Sequence, residues 1–368
     1  MRYFVNHLKA RKEEGFPRSL LFQTLLLWYA FCIKKPKEKW MEVQMNQSPR
    51  GDFPRREKIL LLLLLGLLPL LVFFKEIDND LWFLLNHGKY VLEQGFPLIE
   101  PFTIHQGLNF VMQQWLSGVL FFGVGSLLGS LGVRLLVALC LGLSLWVFYR
   151  LVMRTSKGHF FPSFLLTLSF GLLISNFMLT RPYIFSIPIF LLELLVLETY
   201  KDHGKKRLLW WLPIFSLLLI NLQGAMWLML FVLITPYLID AFSFRLGRFT
   251  GKHEKKWPIL LSVLVMAIVG FINPYGWQGM TYLFRSFGVS EINSLVTEMY
   301  PATLQGTLGP LIFITILGAT LAYALYPQKD IPLRYLLLFL GTAYLSLSAQ
   351  RGLMFLAICA LFPLGFLG

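Results

Sequence analysis

The sequence predicts an all-α polytopic membrane protein, a bundle of about ten spanning helices. Three observations predict it. Apolar residues make up 56% of the 368 positions and charged residues only 14%. Mean hydropathy is +0.64. Several solid Leu/Phe/Ile runs reach the length a helix needs to cross about 30 Å of hydrocarbon. Because these runs are continuous rather than alternating, a transmembrane β-barrel is excluded. The net charge of +14 fits basic cytoplasmic loops better than a nucleic-acid partner. Cys32, Cys140 and Cys359 are scattered and set up neither a disulfide framework nor a metal-ligand spacing. The six histidines never pair at helical spacing, so no structural metal is expected.

Residues 1–58 form a basic leader with thirteen Lys/Arg against six Asp/Glu, a net of +7. Within it, Ser19–Cys32 is too short to span and is flanked by basic residues, which suits an interfacial helix. An alternative start at Met41 or Met45 would leave that segment outside the native chain. No cleavable signal peptide is expected, since no small-residue site follows the Leu run. The domain proper is residues 59–368. Its first span, Ile59–Phe74, contains Pro69. The first loop covers residues 75–132. In it, Asp80–Glu93 is amphipathic, with Leu81, Leu84, Leu85, Gly88, Val91 and Leu92 on one face. Trp115–Leu128 is apolar, short and Gly-rich. Further spans are expected at Val133–Val152, Phe160–Leu179, Tyr183–Thr199, Leu208–Ile220, Ala225–Phe242, Pro258–Ile272, Leu308–Tyr326, Pro332–Leu347 and Gly352–Leu367.

Topology turns on whether Trp115–Leu128 crosses. If it does not, and the N-terminus is cytoplasmic, 27 Lys/Arg fall inside and 6 outside. If it does, every later loop inverts and the split becomes 17 against 16. Positive charge marks the cytoplasmic side, so this segment is expected to lie on, or dip into, the outer leaflet. All the unusual polar motifs then fall on the outer side, and the inner loops read as basic and featureless.

The central motif is Asp78-Asn-Asp80-Leu-Trp-Phe-Leu-Leu-Asn-His87-Gly88. Paired acids at a membrane boundary either cap the following helix or form a site. As a site, an aspartate can accept a proton from a hydroxyl, or the pair can hold a divalent cation through oxygen ligands. The outer motifs also include Gln113-Gln114-Trp115, Arg181-Pro182, Asn221-Leu-Gln223-Gly224, Asn273-Pro-Tyr275-Gly276, Glu298 and Gln350-Arg351. Arg181 and Arg351 each snorkel to headgroups, or together bind a phosphate if they are close in space. The Asn221/Gln223 and Tyr275 motifs read equally as helix-ending turns and as site walls. Glu298 is a candidate for sugar hydroxyls. His87 is kept among the substrate-binding candidates with Gln114, although it and His105 read more simply as surface residues. Mid-span Glu193 and Asp240, near an inner end, are expected to pair with polar neighbours in the bundle.

These motifs resemble the first outer loop of a large group of bacterial membrane proteins. The resemblance rests on Asp-x-Asp-Leu-Trp-x-Leu-x-x-x-Gly, Gly95-Phe-Pro97, Glu100-Pro-Phe-Thr103 and Gln114-Trp-Leu116. The Arg-Pro, Asn-x-Gln-Gly, Asn-Pro-Tyr-Gly, Glu and Arg motifs then follow in the group's order, over roughly residues 58–368. The group is similar to GT-C glycosyltransferases, which include the dolichyl-phosphate-mannose protein mannosyltransferases and the aminoarabinose lipid A transferases. The resemblance implies a GT-C-like bundle with juxtamembrane helices in the first outer loop, set in a bacterial plasma membrane. It also implies a lipid-linked sugar donor and a hydroxyl acceptor. Asp78 or Asp80 would be the base, and Arg351 and Arg181 the phosphate-binding residues. The chain departs from the group at Gln114, where many relatives have Glu, and at Gln223, where many have His. The C-terminal extracytoplasmic domain common in related enzymes is not among these 368 residues, so the sequence is expected to be a fragment of a longer chain.

Two other classes compete with the transferase. A transporter or lipid flippase would use charged groups within the spans. A membrane assembly subunit would tolerate loss of the outer-loop acids.

Overall fold

A computed structural model describes residues 54–242, 244–251, 255–286, 296–325 and 330–367. The leader, with its expected interfacial helix at Ser19–Cys32 and its alternative starts, lies outside the described residues except for its last few positions. Thirteen α-helices occur among the described residues. Four helical stretches are long and apolar enough to cross a membrane: Trp115–Thr155, Phe160–Phe177, Tyr183–His203 and Leu308–Leu325. Shorter apolar helices lie at Gly224–Asp240, Trp257–Val269, Leu333–Ser348 and Gln350–Phe366.

Helix α1 (Arg55–Phe73) carries Pro69 internally. Helix α2 (Asp80–Gln94) turns its Leu81, Leu84, His87 and Gly88 inward, close to the face expected from its periodicity. The two apolar segments that follow are joined in α3 (Trp115–Thr155) but broken at Gly129, whose φ of 59° and ψ of −151° are not helical. Trp115–Leu128 and the span after it are therefore separate rods, as the sequence divides them. Helix α2 docks on the first rod through two glycines. A Cβ on Gly88 would run into the Gly118 carbonyl, and one on Gly118 would meet the Leu84 carbonyl at 2.9 Å.

Next come α4 (Phe160–Ile174), α5 (Tyr183–His203), α6 (Trp211–Leu222) and α7 (Gly224–Asp240). Helices α8 (Trp257–Val269), α9 (Trp277–Met280) and α10 (Tyr282–Ser286) follow, then α11 (Leu308–Leu325), α12 (Leu333–Ser348) and α13 (Leu353–Leu361). The core is the second rod of α3 with α5 and α13. Leu145, Phe148, Ile187, Phe190, Leu194 and Leu356 are wholly buried, and Phe148 stacks on Phe170 at 4.0 Å. A small sheet links β1 (Arg245–Leu246), β2 (Phe249–Thr250) and β3 (Ile331–Pro332). The β1–β2 pair is antiparallel and β2–β3 is parallel.

Cations tie the helix ends. Arg134 Nη1 donates to the carbonyls of Phe73, at 3.0 Å, and Lys75, at 2.6 Å. Lys75 Nζ donates to the Ser175 carbonyl at 2.6 Å. Positive charge at a helix C-terminus offsets the macrodipole and satisfies carbonyls that have no partner in the helix.

Candidate functional site

The loop after α1 meets the start of α5 and the segment before α11. Arg181 is the hub. Its Nη2 lies 3.2 Å from Asp78 Oδ2, its Nε 2.9 Å from Asp80 Oδ2, and its Nη1 3.0 Å from Glu298 Oε1. The Nη1 contact is an aligned hydrogen bond, whereas the Nε contact has ion-pair distance without hydrogen-bond alignment. Burial opposes the Arg181 charge. Glu298, Asp80 and Asp78 outweigh it and hold the guanidinium above its ordinary range.

Asp78 makes two contacts. Its Oδ1 accepts the Asp80 amide at 2.9 Å, ordering the first turn of α2, while Oδ2 faces Arg181. Its own amide donates to Thr180 Oγ1 at 3.1 Å. The Asp78 side chain is 18% exposed and that of Asp80 59%, so Asp80 is the carboxylate open to a ligand. The Tyr183 hydroxyl lies within electrostatic reach of Arg351, Glu298, Arg181 and Asp80. Arg351 Nε is buried and has no hydrogen-bond partner among the described residues.

The other candidates brace this end of the bundle. Asn221 Oδ1 accepts from Trp115 Nε1 at 2.9 Å, and its Nδ2 donates to the carbonyls of Leu217 and Ile272 at 2.9 Å each. Gln223 Oε1 accepts from Ser186 Oγ at 2.5 Å. Gln113 takes the amides of Gly224, at 2.7 Å on its carbonyl, and Ala225, at 2.9 Å on Oε1. Gln114 Oε1 accepts from the Gln113 side chain at 3.0 Å. The Asn-Pro-Tyr-Gly motif is a turn: Asn273 Oδ1 accepts the Tyr275 amide at 2.9 Å, and Gly276 takes a φ of 50°. The Tyr275 hydroxyl donates to the Pro97 carbonyl at 3.1 Å, fastening this turn to the first loop.

Three sequence expectations need correction. His87 is not a surface residue. It is 2% exposed and neither ring nitrogen has a hydrogen-bond partner among the described residues. Phe83, Phe102 and Phe110 surround it, with centroids at 3.7, 4.9 and 5.8 Å. Burial pushes its pKa down to about 4, so it is a neutral aromatic spacer at pH 7. Glu193 has buried carboxyl oxygens with no hydrogen-bond partner among the described residues. Asp240 does pair, as expected, but in a network the sequence concealed.

That network corrects the reading of the opposite end as featureless. Arg334 grips Glu198 through Nε at 2.9 Å and Nη2 at 3.0 Å, and Asp240 through Nη1 at 3.0 Å. Lys201 Nζ lies 3.3 Å from Asp240. Tyr237 and Tyr335 donate to the two Glu198 oxygens at 2.8 and 3.1 Å. Beside it is a cavity of about 410 Å³, lined in part by Arg154, Lys157, Lys201, Asp202, Asp240 and Arg334. About 22 Å of helix α5 separates Tyr183 from Glu198. The available signal was Glu198 and Lys201 at i, i+3 on one helix.

Among the described residues no group of three His, Cys, Asp or Glu side chains is arranged to hold a metal. The Arg181 guanidinium itself occupies the place between Asp78, Asp80 and Glu298. No family model matches the chain, and no curated protein matches it.

Proposed function

We propose that the chain is a membrane glycosyltransferase with about ten spans. It transfers a sugar from a polyprenyl-phosphate donor to a hydroxyl acceptor at the outer face of the plasma membrane, with its N-terminus cytoplasmic. The observation that carries the reading is the convergence of Asp78, Asp80 and Glu298 on Arg181. Asp80 is the base. It is the more exposed of the two aspartates, and it can take the acceptor's proton as the hydroxyl attacks the anomeric carbon. The bond to phosphate breaks on the opposite face, so the sugar inverts.

Asp78 and Glu298 orient Arg181, which holds Asp80 in place. Arg351 receives the departing phosphate, since its Nε carries no hydrogen bond and a guanidinium matches phosphate geometry. A second reading, proton-linked transport, is favoured by the unpartnered Glu193 and by the polar cavity at the other end.

The test is mass spectrometry of lipid-linked sugars and surface glycans in a deletion strain. The strain is complemented with wild type, Asp80→Asn or Asp78→Asn at matched membrane levels. A glycan that lacks one sugar, restored by wild type and not by Asp80→Asn, supports the transferase and names the donor. Full restoration by both variants sinks it.

A further inference from the structure

The cavity lies at the far end of α5 from Arg181, and the proposed transfer does not use it. Its volume of about 410 Å³ is that of a small-molecule site. Four segments meet there. The end of α3 supplies Arg154 and Lys157, the end of α5 Lys201 and Asp202, β2 Thr250, and the entry to α12 Asp330 and Arg334. The inner wall is cross-braced. Besides its guanidinium contacts, Arg334 donates its backbone amide to Asp240 Oδ1 at 3.2 Å, and Tyr335 closes on Glu198 at 3.1 Å. A wall fixed in this way is preorganised for a ligand.

Every carboxylate that lines the cavity already has a cation. Glu198 and Asp240 share Arg334. Asp202 takes Arg154 Nε at 2.7 Å, and Asp330 faces Arg245 at 4.0 Å. What is left over is positive. Among the described residues Lys157 has no ion pair, and the two terminal nitrogens of Arg154 have no hydrogen bond. Lys157 also stands in the left-handed region, at a φ of 54°, the only non-glycine to do so among the described residues. Such strain persists where the surroundings fix it, and it gathers at ligand clamps.

The wider field has the same sign. Residues 150–157, 201–207, 244–256 and 329–334 carry fourteen Lys/Arg against three Asp/Glu. A cleft among like charges concentrates counter-ions. Exposed tryptophans flank these segments. Trp146 stands one turn before the first, while Trp210, Trp211 and Trp257 closely follow the second and third. Tryptophan in such positions marks the level of lipid headgroups.

We propose that the cavity binds an anionic phosphate group. The phosphate oxygens accept from the terminal nitrogens of Arg154 and from Lys157 Nζ, with the Arg334 wall behind. The headgroup of an anionic phospholipid supplies this chemistry at the tryptophan level, and a water-borne phosphate ester supplies it from solution. The site does not depend on the glycosyl-transfer reading.

The experiment is thermal unfolding of the full chain in nanodiscs of phosphatidylcholine. One series replaces part of that lipid with phosphatidylglycerol. A second adds inorganic phosphate, compared with sodium chloride at equal ionic strength. The unfolding temperature of wild type should rise and saturate with at least one probe. Arg154→Gln with Lys157→Gly should weaken that response about tenfold or more, as loss of charge-assisted hydrogen bonds does. Lys157→Gly alone relaxes the left-handed backbone, so it keeps the fold, and it should still weaken the response several-fold. Lys205→Gln with Arg207→Gln removes two cations that do not line the cavity and should leave the response intact. A rise with phosphatidylglycerol alone assigns the site to a lipid headgroup, and a rise with inorganic phosphate assigns it to a soluble ester. No rise with either probe overturns the proposal. So does a response unchanged in the cavity variants, or one lost equally in Lys205→Gln with Arg207→Gln.

Discussion

Arg181 Nε stands 2.9 Å from Asp80 Oδ2. This contact joins the first turn of α2 to the entrance of α5 and holds the most exposed acid of the cluster against its only shared cation among the described residues. Remove the guanidinium and three carboxylates face one another. Arg181→Gln is expected to lower stability by on the order of 1 kcal/mol, the scale of a partly exposed ion-pair network. The margin of wild type over the variant should shrink at high salt, because exposed charges are screened. Thermal unfolding in detergent at two ionic strengths checks both statements. A margin that does not depend on salt would mean that Arg181 acts by packing alone.

His87 predicts acid sensitivity. Its folded pKa is pushed down to about 4 by burial, while the unfolded chain titrates near 6.5. Between those values the unfolded state binds the extra proton. The stability His87 contributes is therefore complete above about pH 6.5 and is lost as pH falls toward 4. The loss between pH 6.5 and 5 is about 1.6 kcal/mol. His87→Leu should flatten the profile of unfolding temperature against pH. An unchanged slope would place the sensitivity elsewhere.

Gly88 predicts a packing failure. A Cβ there collides with the Gly118 carbonyl, and backbone cannot yield as a flexible side chain can. Gly88→Ala should cost about 1–3 kcal/mol, the range for overpacking. Gly66→Ala, where a Cβ meets nothing within 4 Å, should be neutral or slightly stabilising. Melting temperatures of the two variants side by side decide the matter.

Arg334 predicts an asymmetry between breaking and replacing a buried network. Arg334→Met leaves Glu198 and Asp240 buried, with Lys201 the one remaining cation paired to Asp240 among the described residues. It should cost about 3–5 kcal/mol. Adding Glu198→Gln and Asp240→Asn removes the stranded charges and should recover part of the loss. Purified yield and unfolding temperature report both steps. A triple variant no better than the single one would contradict the account.

Much of the fold was legible because apolar length and helical period are local properties. The face of α2 followed from its spacing, and the break between Trp115–Leu128 and the next rod followed from composition around Gly129. Ends were less legible. The segment read as Leu208–Ile220 begins inside a 3-10 turn, Lys206–Trp210, and the one read as Gly352–Leu367 ends in another, Phe362–Leu367, since hydropathy does not distinguish helix types.

By itself, then, the sequence determined an apolar helical bundle whose unusual polar residues cluster in a few loops, because burial in a bilayer or a helix core demands long apolar runs. Only the tertiary structure decided which of those residues meet. It brought Asp78, Asp80 and Glu298 to Arg181, turned Asn221, Gln223 and Tyr275 to bracing, and buried His87 among phenylalanines. It also drew Arg334 to Glu198 and Asp240 while leaving Glu193 without a hydrogen-bond partner among the described residues. Pairing of charges depends on distances between helices far apart in the chain, and no local pattern of residues encodes those distances.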